Sequence, residues 1–147
     1  MDRVETGVDG IPACLGICPA RDGIIAVCAP DIIFLADRDG DGKAEVRETL
    51  FTGFKVSVIE RRINQPQWGP DNWIYVDGGQ GGRITGPNPS RPVNLPVTGF
   101  RIKPDGPAIE PISGHTSTDG FTFNDDGDRL VISPGAQQSA VQGKGVE

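Results

Sequence analysis

The feature that most limits what this chain can become is a recurrence of about fifty residues. Three stretches share one grammar: "GICPARDGIIAVCAP" (16–30), "PQWGPDNWIYVDGG" (66–79) and "FTFNDDGDRLVISPG" (121–135). Each is an apolar strand, a turn centred on Asp22, Asp71 or Asp126, and a second apolar strand; the aspartates stand 49 and 55 residues apart. A further strand pair follows each of the first two, in residues 31–53 and 99–114. Four strands per unit at this period are the mark of β-propeller blades. The turns "RDG", "PDN", "DGDG", "PDG" and "DDGD" supply the Asn, Asp and Gly that hairpins require. Ile32, Phe34 and Ala36 alternate with Ile33 and Leu35, so both faces of that strand are apolar and both are expected to be buried between packed sheets.

The expected fold is therefore all-β, a partial β-propeller of about two and a half blades. The blades cover roughly residues 11–53 and 64–114, with a partial one over 115–147. "RVETGV" (3–8) reads as the outer strand of an earlier unit. Propellers close with about four to eight blades, and an open stack leaves apolar faces and strand edges uncovered. The chain is accordingly read as a fragment whose first partners are the remaining blades. With 21 Gly and 13 Pro in 147 residues, long helices are disfavoured.

A net charge of −6 and the lack of any basic stripe argue against nucleic acid. No apolar run reaches the roughly 20 residues of a membrane helix. Met1 leads directly into "DRVETGVDG" with no secretory leader, which fits a cytoplasmic protein or an internal piece of a longer one. Cys14, Cys18 and Cys28 contain no C-x-x-C, excluding the usual haem and zinc spacings within the chain. They read as small buried side chains, with a bridge between two of them left open.

"DRDGDGKAEVRE" (37–48) places Asp37, Asp39, Asp41, Gly42, Lys43, Glu45 and Glu48 at positions 1, 3, 5, 6, 7, 9 and 12 of a calcium loop. Alternating carboxylates on a tight turn repel one another unless a hard cation, which takes about six to eight oxygens, lies between them. The flanks "IIFLA" and "EVRETLF" are strands rather than helices, so Glu48 lies out along a strand, and a solvated acidic turn is the alternative. As a third-to-fourth-strand turn, this loop belongs to the end of the stack away from the long connections. Its expected work is to brace a hairpin.

The opposite end receives "KVSVIERRINQ" (55–65), the Gly- and Pro-rich "DGGQGGRITGPNPSRPVNLP" (77–96) and "SGHTSTD" (113–119). Long loops on a rigid scaffold carry binding residues. Here they carry Arg61, Arg62, Asn64, Gln80, Arg83 and His115, a set suited to anionic or polyhydroxylated ligands. His115 is the sole conventional acid/base candidate near neutral pH.

"APDIIFLADRDGDGKAEVRETLFTGF" (29–54), "WGPDNWIYVDGGQGG" (68–82) and "GFTFNDDGDRLVIS" (120–133) together resemble the membrane-bound dehydrogenase family of planctomycetes and verrucomicrobia. That group is similar to the soluble glucose/sorbosone dehydrogenases, six-bladed propellers that use pyrroloquinoline quinone and calcium. The resemblance spans residues 10–137 and implies a secreted protein, periplasmic or extracellular, that oxidises a sugar or related alcohol at the long-loop end. It departs from the sugar enzymes at one point. Their catalytic histidine stands eight residues before the Gly of the "GPD" turn, and here that position is Arg61. Arginine stays protonated and cannot accept the proton of an alcohol. Gln80 matches the sugar-contacting glutamine, one residue displaced, and His115 lies in the equivalent loop one blade later. The alternative function is a non-catalytic, calcium-stabilised propeller that binds carbohydrate or a protein partner.

Overall fold

The structure of the chain is a computed structural model that describes residues 9–78, 80–87, 91–106, 108–113, 120–132 and 140–142. "RVETGV" and His115 lie outside these residues. The described residues form thirteen strands and no α-helix; a 3-10 turn at Ile59–Arg61 is the one helical feature among them. None of these elements is a helix long and apolar enough to cross a membrane.

Strands β1 (Ile17–Ala20), β2 (Gly23–Cys28), β3 (Asp31–Ala36) and β4 (Val46–Thr52) form an antiparallel meander in chain order. The second sheet is built from β5 (Asn64–Trp68), β6 (Ile74–Asp77), β9 (Phe100–Ile102) and β10 (Ile109–Pro111), again with each strand beside the next. A third sheet joins β11 (Gly120–Phe123), β12 (Arg129–Ile132) and β13 (Ala140–Gln142). The fold is all-β, and its small antiparallel sheets stay open, as a partial propeller requires.

The period-two pattern of β3 divides the core as its sequence dictates. Ile32, Phe34 and Ala36 enter one cluster that continues through Phe51, Phe54, Ile63, Ile74, Val76 and Phe100, packing the first sheet on the second. Ile33 and Leu35 enter a separate cluster with Ala26 and Cys28 on the other face. Phe54 and Phe100 stack with ring centroids 5.1 Å apart across the sheet junction. The indole N–H of Trp68 donates to the Pro19 carbonyl oxygen (2.7 Å), tying β5 to β1. Between the second and third sheets, Tyr75 meets Phe123 edge-to-face at 5.0 Å.

Hairpin chemistry separates the two ends of the stack. At one end lie the β1–β2, β3–β4, β5–β6 and β9–β10 turns. Arg38 pairs with Asp22 there at 2.9 Å, and Lys103 Nζ donates to the Asn72 carbonyl oxygen at 2.8 Å. Arg101 bridges Asp71 and Glu110, both at 2.8 Å, with its guanidinium 4.5 Å from the Trp73 ring centre. At the other end, the N–H groups of Gly53 and Phe54 both donate to the Pro30 carbonyl oxygen (3.1 and 3.2 Å). The β4-to-β5 connection therefore closes over the β2–β3 turn.

Two expectations need correction in detail. The Gly- and Pro-rich segment, read as a loop throughout, folds part of itself into a hairpin of β7 (Gly82–Ile84) and β8 (Val93–Leu95). Its apolar residues are too sparse to read as strands, yet Ile84 and Leu95 are buried in the main core. Thr85 and Thr52 exchange backbone hydrogen bonds at 2.9 Å, which docks the hairpin on β4. Gly53, at φ +105°, is needed at this junction because a side chain there would strike the Arg83 carbonyl oxygen. The cysteines, read mainly as buried apolar groups, include a Cys14–Cys28 disulfide; Cys18 is the free, buried one.

Candidate functional site

The acidic turn follows β3 directly, where Gly40 and Gly42 take positive φ (+78° and +87°) and fold the chain back on itself. The N–H groups of Gly40 and Gly42 donate to the two oxygens of Asp37, at 2.7 and 2.8 Å. The Arg38 N–H donates to Glu45 Oε1 at 2.7 Å. The Asp41 N–H donates to Asp39 Oδ1 at 3.1 Å, and one oxygen each of Asp37, Asp39 and Glu45 lies within 4.8 Å of the others, all three side chains exposed. The Gly42 and Gly40 amides also hold the Asp37 carboxyl below the usual aspartate range. Each bonded carboxylate oxygen keeps a second lone pair, so an all-oxygen donor set of this charge fits a hard divalent cation.

The other expected ligands are placed differently. Asp41 Oδ1 accepts the Lys43 N–H at 2.8 Å, and Asp41 is outside the convergent trio. Glu48 lies on β4 and pairs with Arg21 at 3.2 Å, while that guanidinium covers the Phe34 ring at 4.2 Å. Lys43 would offer only its backbone carbonyl, since its ammonium has no lone pair.

At the opposite end, the residues of the β4-to-β5 connection are tied together by short bonds. The 3-10 turn closes through Arg61 N–H to Val58 O and Arg62 N–H to Ile59 O (3.0 and 3.2 Å). Arg62 Nε donates to the Ser57 carbonyl oxygen at 2.9 Å, and Asn64 Nδ2 donates to the Arg62 carbonyl oxygen at 3.0 Å. Arg61 is exposed, Arg62 and Asn64 half-buried. Immediately after, the β5–β6 register slips between Asn64 and Gln67, and Gln65 sits at φ +49°. A left-handed non-glycine residue in a bulge re-aims its side chain at a local cost. Here the Gln65 amide is turned toward Gly120 at the start of β11.

Asn64 is paired in register with Asp77, the last residue of β6. Asp77 is fully buried. Its Oδ1 accepts the Gly78 N–H at 2.8 Å, whereas Oδ2 has no hydrogen-bond partner; nor has Asn64 Oδ1. Burial pushes the Asp77 carboxyl up, outweighing the Gly78 amide and the charge of Arg129 on β12. Gly78, at φ +72°, turns the chain so closely that a side chain there would meet the Arg62 carbonyl oxygen. Gln80, half-buried, follows this turn. Arg83 is carried instead on β7, exposed.

The structure thus gathers Arg61, Arg62 and Asn64 on one tied segment with Gln80 beyond the neighbouring turn. Sequence reasoning missed Asp77 and Gln65. "VDGG" reads as a polar turn, and the signal that Asp77 still belongs to the strand is the alternation of Tyr75 and Asp77 with Ile74 and Val76. The guanidinium groups of exposed Arg61 and half-buried Arg62 are of the kind that pairs with carboxylates.

A family model covers residues 1–145 and is described as a domain of unknown function, DUF7133. The chain belongs to the DUF7133 family. No curated protein and no solved structure matches it significantly.

Proposed function

We propose that this DUF7133 chain is part of a secreted, quinoprotein-like dehydrogenase that oxidises a sugar or related alcohol, with a calcium ion bracing its acidic turn. The observation that carries the reading is the tied segment of Arg61, Arg62 and Asn64 against the Gly78 turn, which leads on to Gln80, at the end of the stack remote from the acidic residues. Arg61 and Arg62 would hold the carboxylates of pyrroloquinoline quinone and Gln80 would orient the substrate hydroxyls, while Asn64 holds the Arg62 backbone in place. The quinone, when bound, supplies the hydride acceptor. The Cys14–Cys28 disulfide supports an oxidising compartment, periplasmic or extracellular.

A second reading, a calcium-stabilised propeller that binds carbohydrate or a protein without chemistry, is favoured by one residue. Arg61 stands where the similar sugar enzymes place their histidine, and it cannot serve as a base. Incubating the full-length protein with Ca²⁺ and quinone, then following dye reduction with a panel of sugars, separates the two. Quinone-dependent reduction is the expected result. Sugar binding by calorimetry with no quinone uptake would leave the binding reading alone, and neither activity nor binding would overturn both.

Calcium is expected to act on stability. At a hundredfold excess over its dissociation constant, a native-state ligand adds about 2.7 kcal/mol, or roughly 5–10 °C for a domain of this size. Thermal melts in excess Ca²⁺ and in chelator should differ by that amount, and Asp39→Ala should abolish the difference. Equal melting temperatures would reduce the acidic segment to a turn.

A further inference from the structure

The buried end of β6 presents an unresolved balance of hydrogen bonds. Asn64 and Asp77 are register partners on adjacent strands, a relation that brings side chains to within about 5 Å at Cβ. Asn64 Oδ1 and Asp77 Oδ2 are both buried, and neither has a hydrogen-bond partner. Two acceptors cannot satisfy one another. Reversing the Asn64 amide is no remedy, because Nδ2 already donates to the Arg62 carbonyl oxygen, and the reversed oxygen would face that carbonyl. The Gly78 N–H is already spent on Asp77 Oδ1. One hydrogen completes the network if it resides on Asp77 Oδ2.

We propose that Asp77 and Asn64 form a proton-operated latch, in which a proton on Asp77 Oδ2 is donated to Asn64 Oδ1 and ties the start of β5 to the end of β6. The latch lies between the 3-10 turn carrying Arg61 and Arg62 and the Gly78 turn leading to Gln80, so its state bears on how firmly both are held. It stands whether or not that end of the molecule binds a sugar.

Among the described residues, one charged side chain acts on the Asp77 carboxyl. From β12, Arg129 acts through its charge. Tyr75 shares the Asp77 face of β6, two residues away, and is itself pushed up by burial. The Arg62 guanidinium is turned to Ser57. On β9, the strand on the far side of β6, Phe100 stands in register with Val76. Loss of the proton leaves a carboxylate facing an amide oxygen in a buried site, which is unfavourable on both counts.

The direction of the pH response follows. A carboxyl that holds its proton more tightly in the fold than in the unfolded chain contributes stability fully below the ordinary aspartate value, near pH 4. That contribution is lost as pH rises through the folded value. Asp77→Asn supplies a permanent N–H donor of the same shape.

The test is denaturant unfolding of the wild-type protein and Asp77→Asn between about pH 4 and about pH 8. The stability of the wild type relative to the variant should fall as pH rises. Infrared difference spectra across the same range should show a protonated-carboxyl stretch in the wild type that is missing from Asp77→Asn. Should that variant fail to fold, carbon-detected titration of Asp77 in the wild type and in Asn64→Ala gives the same information. The midpoint should lie above the ordinary aspartate value in the wild type and move in the variant. A stability difference independent of pH, no protonated-carboxyl band, or an Asp77 titration indifferent to Asn64 would overturn the latch.

Discussion

Replacing Phe100 with alanine should lower the unfolding free energy by about 3–5 kcal/mol, the range for deleting a buried aromatic side chain. Phe100 is 2% exposed, sits in the middle strand pair of the second sheet and stacks on Phe54 from the β4-to-β5 connection. Truncating it removes apolar surface from water-free contact and leaves a cavity at the junction of two sheets that relaxes only in part. A double-mutant cycle with Phe54→Ala should return a coupling of about 0.5–1.5 kcal/mol for the stacked pair. Urea denaturation followed by intrinsic fluorescence measures both. A loss under 1 kcal/mol would mean that the two sheets do not share a core.

Reduction of the Cys14–Cys28 bond should cost about 3 kcal/mol. The bond closes a loop of about 15 residues, and the chain-entropy account gives that magnitude for a loop of this length. The closed segment contains all of β1, the β1–β2 turn and β2, so the unfolded chain gains its freedom at the edge of the first sheet. Cys14→Ser should match the reduced wild type, at roughly 6–12 °C below the oxidised protein in a thermal melt. Cys18→Ser should retain the response to reductant, because Cys18 is the free thiol. Indistinguishable denaturation midpoints with and without reductant would contradict this.

What could be read from the sequence was what repeats. Alternation in residues 31–36 identifies a strand buried on both faces, and the aspartates at 22, 71 and 126 fall in the β1–β2, β5–β6 and β11–β12 turns. These signals are local: strand period and turn chemistry both act within a few residues. The β7–β8 hairpin escaped because its stability comes from Thr85 bonding to Thr52 and from Ile84 and Leu95 reaching a core made elsewhere. The disulfide escaped because pairing depends on which strands lie adjacent. Asp77 escaped for the same reason: its burial depends on β5 and β9 lying on either side of β6. In the acidic turn, the alternation of aspartates was visible, but the backbone amides that orient the carboxylates were not: Gly40 and Gly42 bond Asp37, Arg38 bonds Glu45 and Asp41 bonds Asp39. Asp41 and Glu48 are engaged elsewhere, by the Lys43 N–H and by Arg21.

The proposed cation-binding turn and the proposed ligand-binding loops lie at opposite ends of one stack of sheets. Mn²⁺, an oxygen-seeking and paramagnetic stand-in for Ca²⁺, tests both halves in a single experiment. Added in small amounts to isotope-labelled protein, it should broaden the amide resonances of Asp22, Asp37, Gly40 and Glu45 and leave those of Arg62, Gly78 and Gln80 sharp. Excess Ca²⁺ should restore the broadened signals. Broadening at Arg62 or Gln80, or none confined to the acidic turn, would contradict the account.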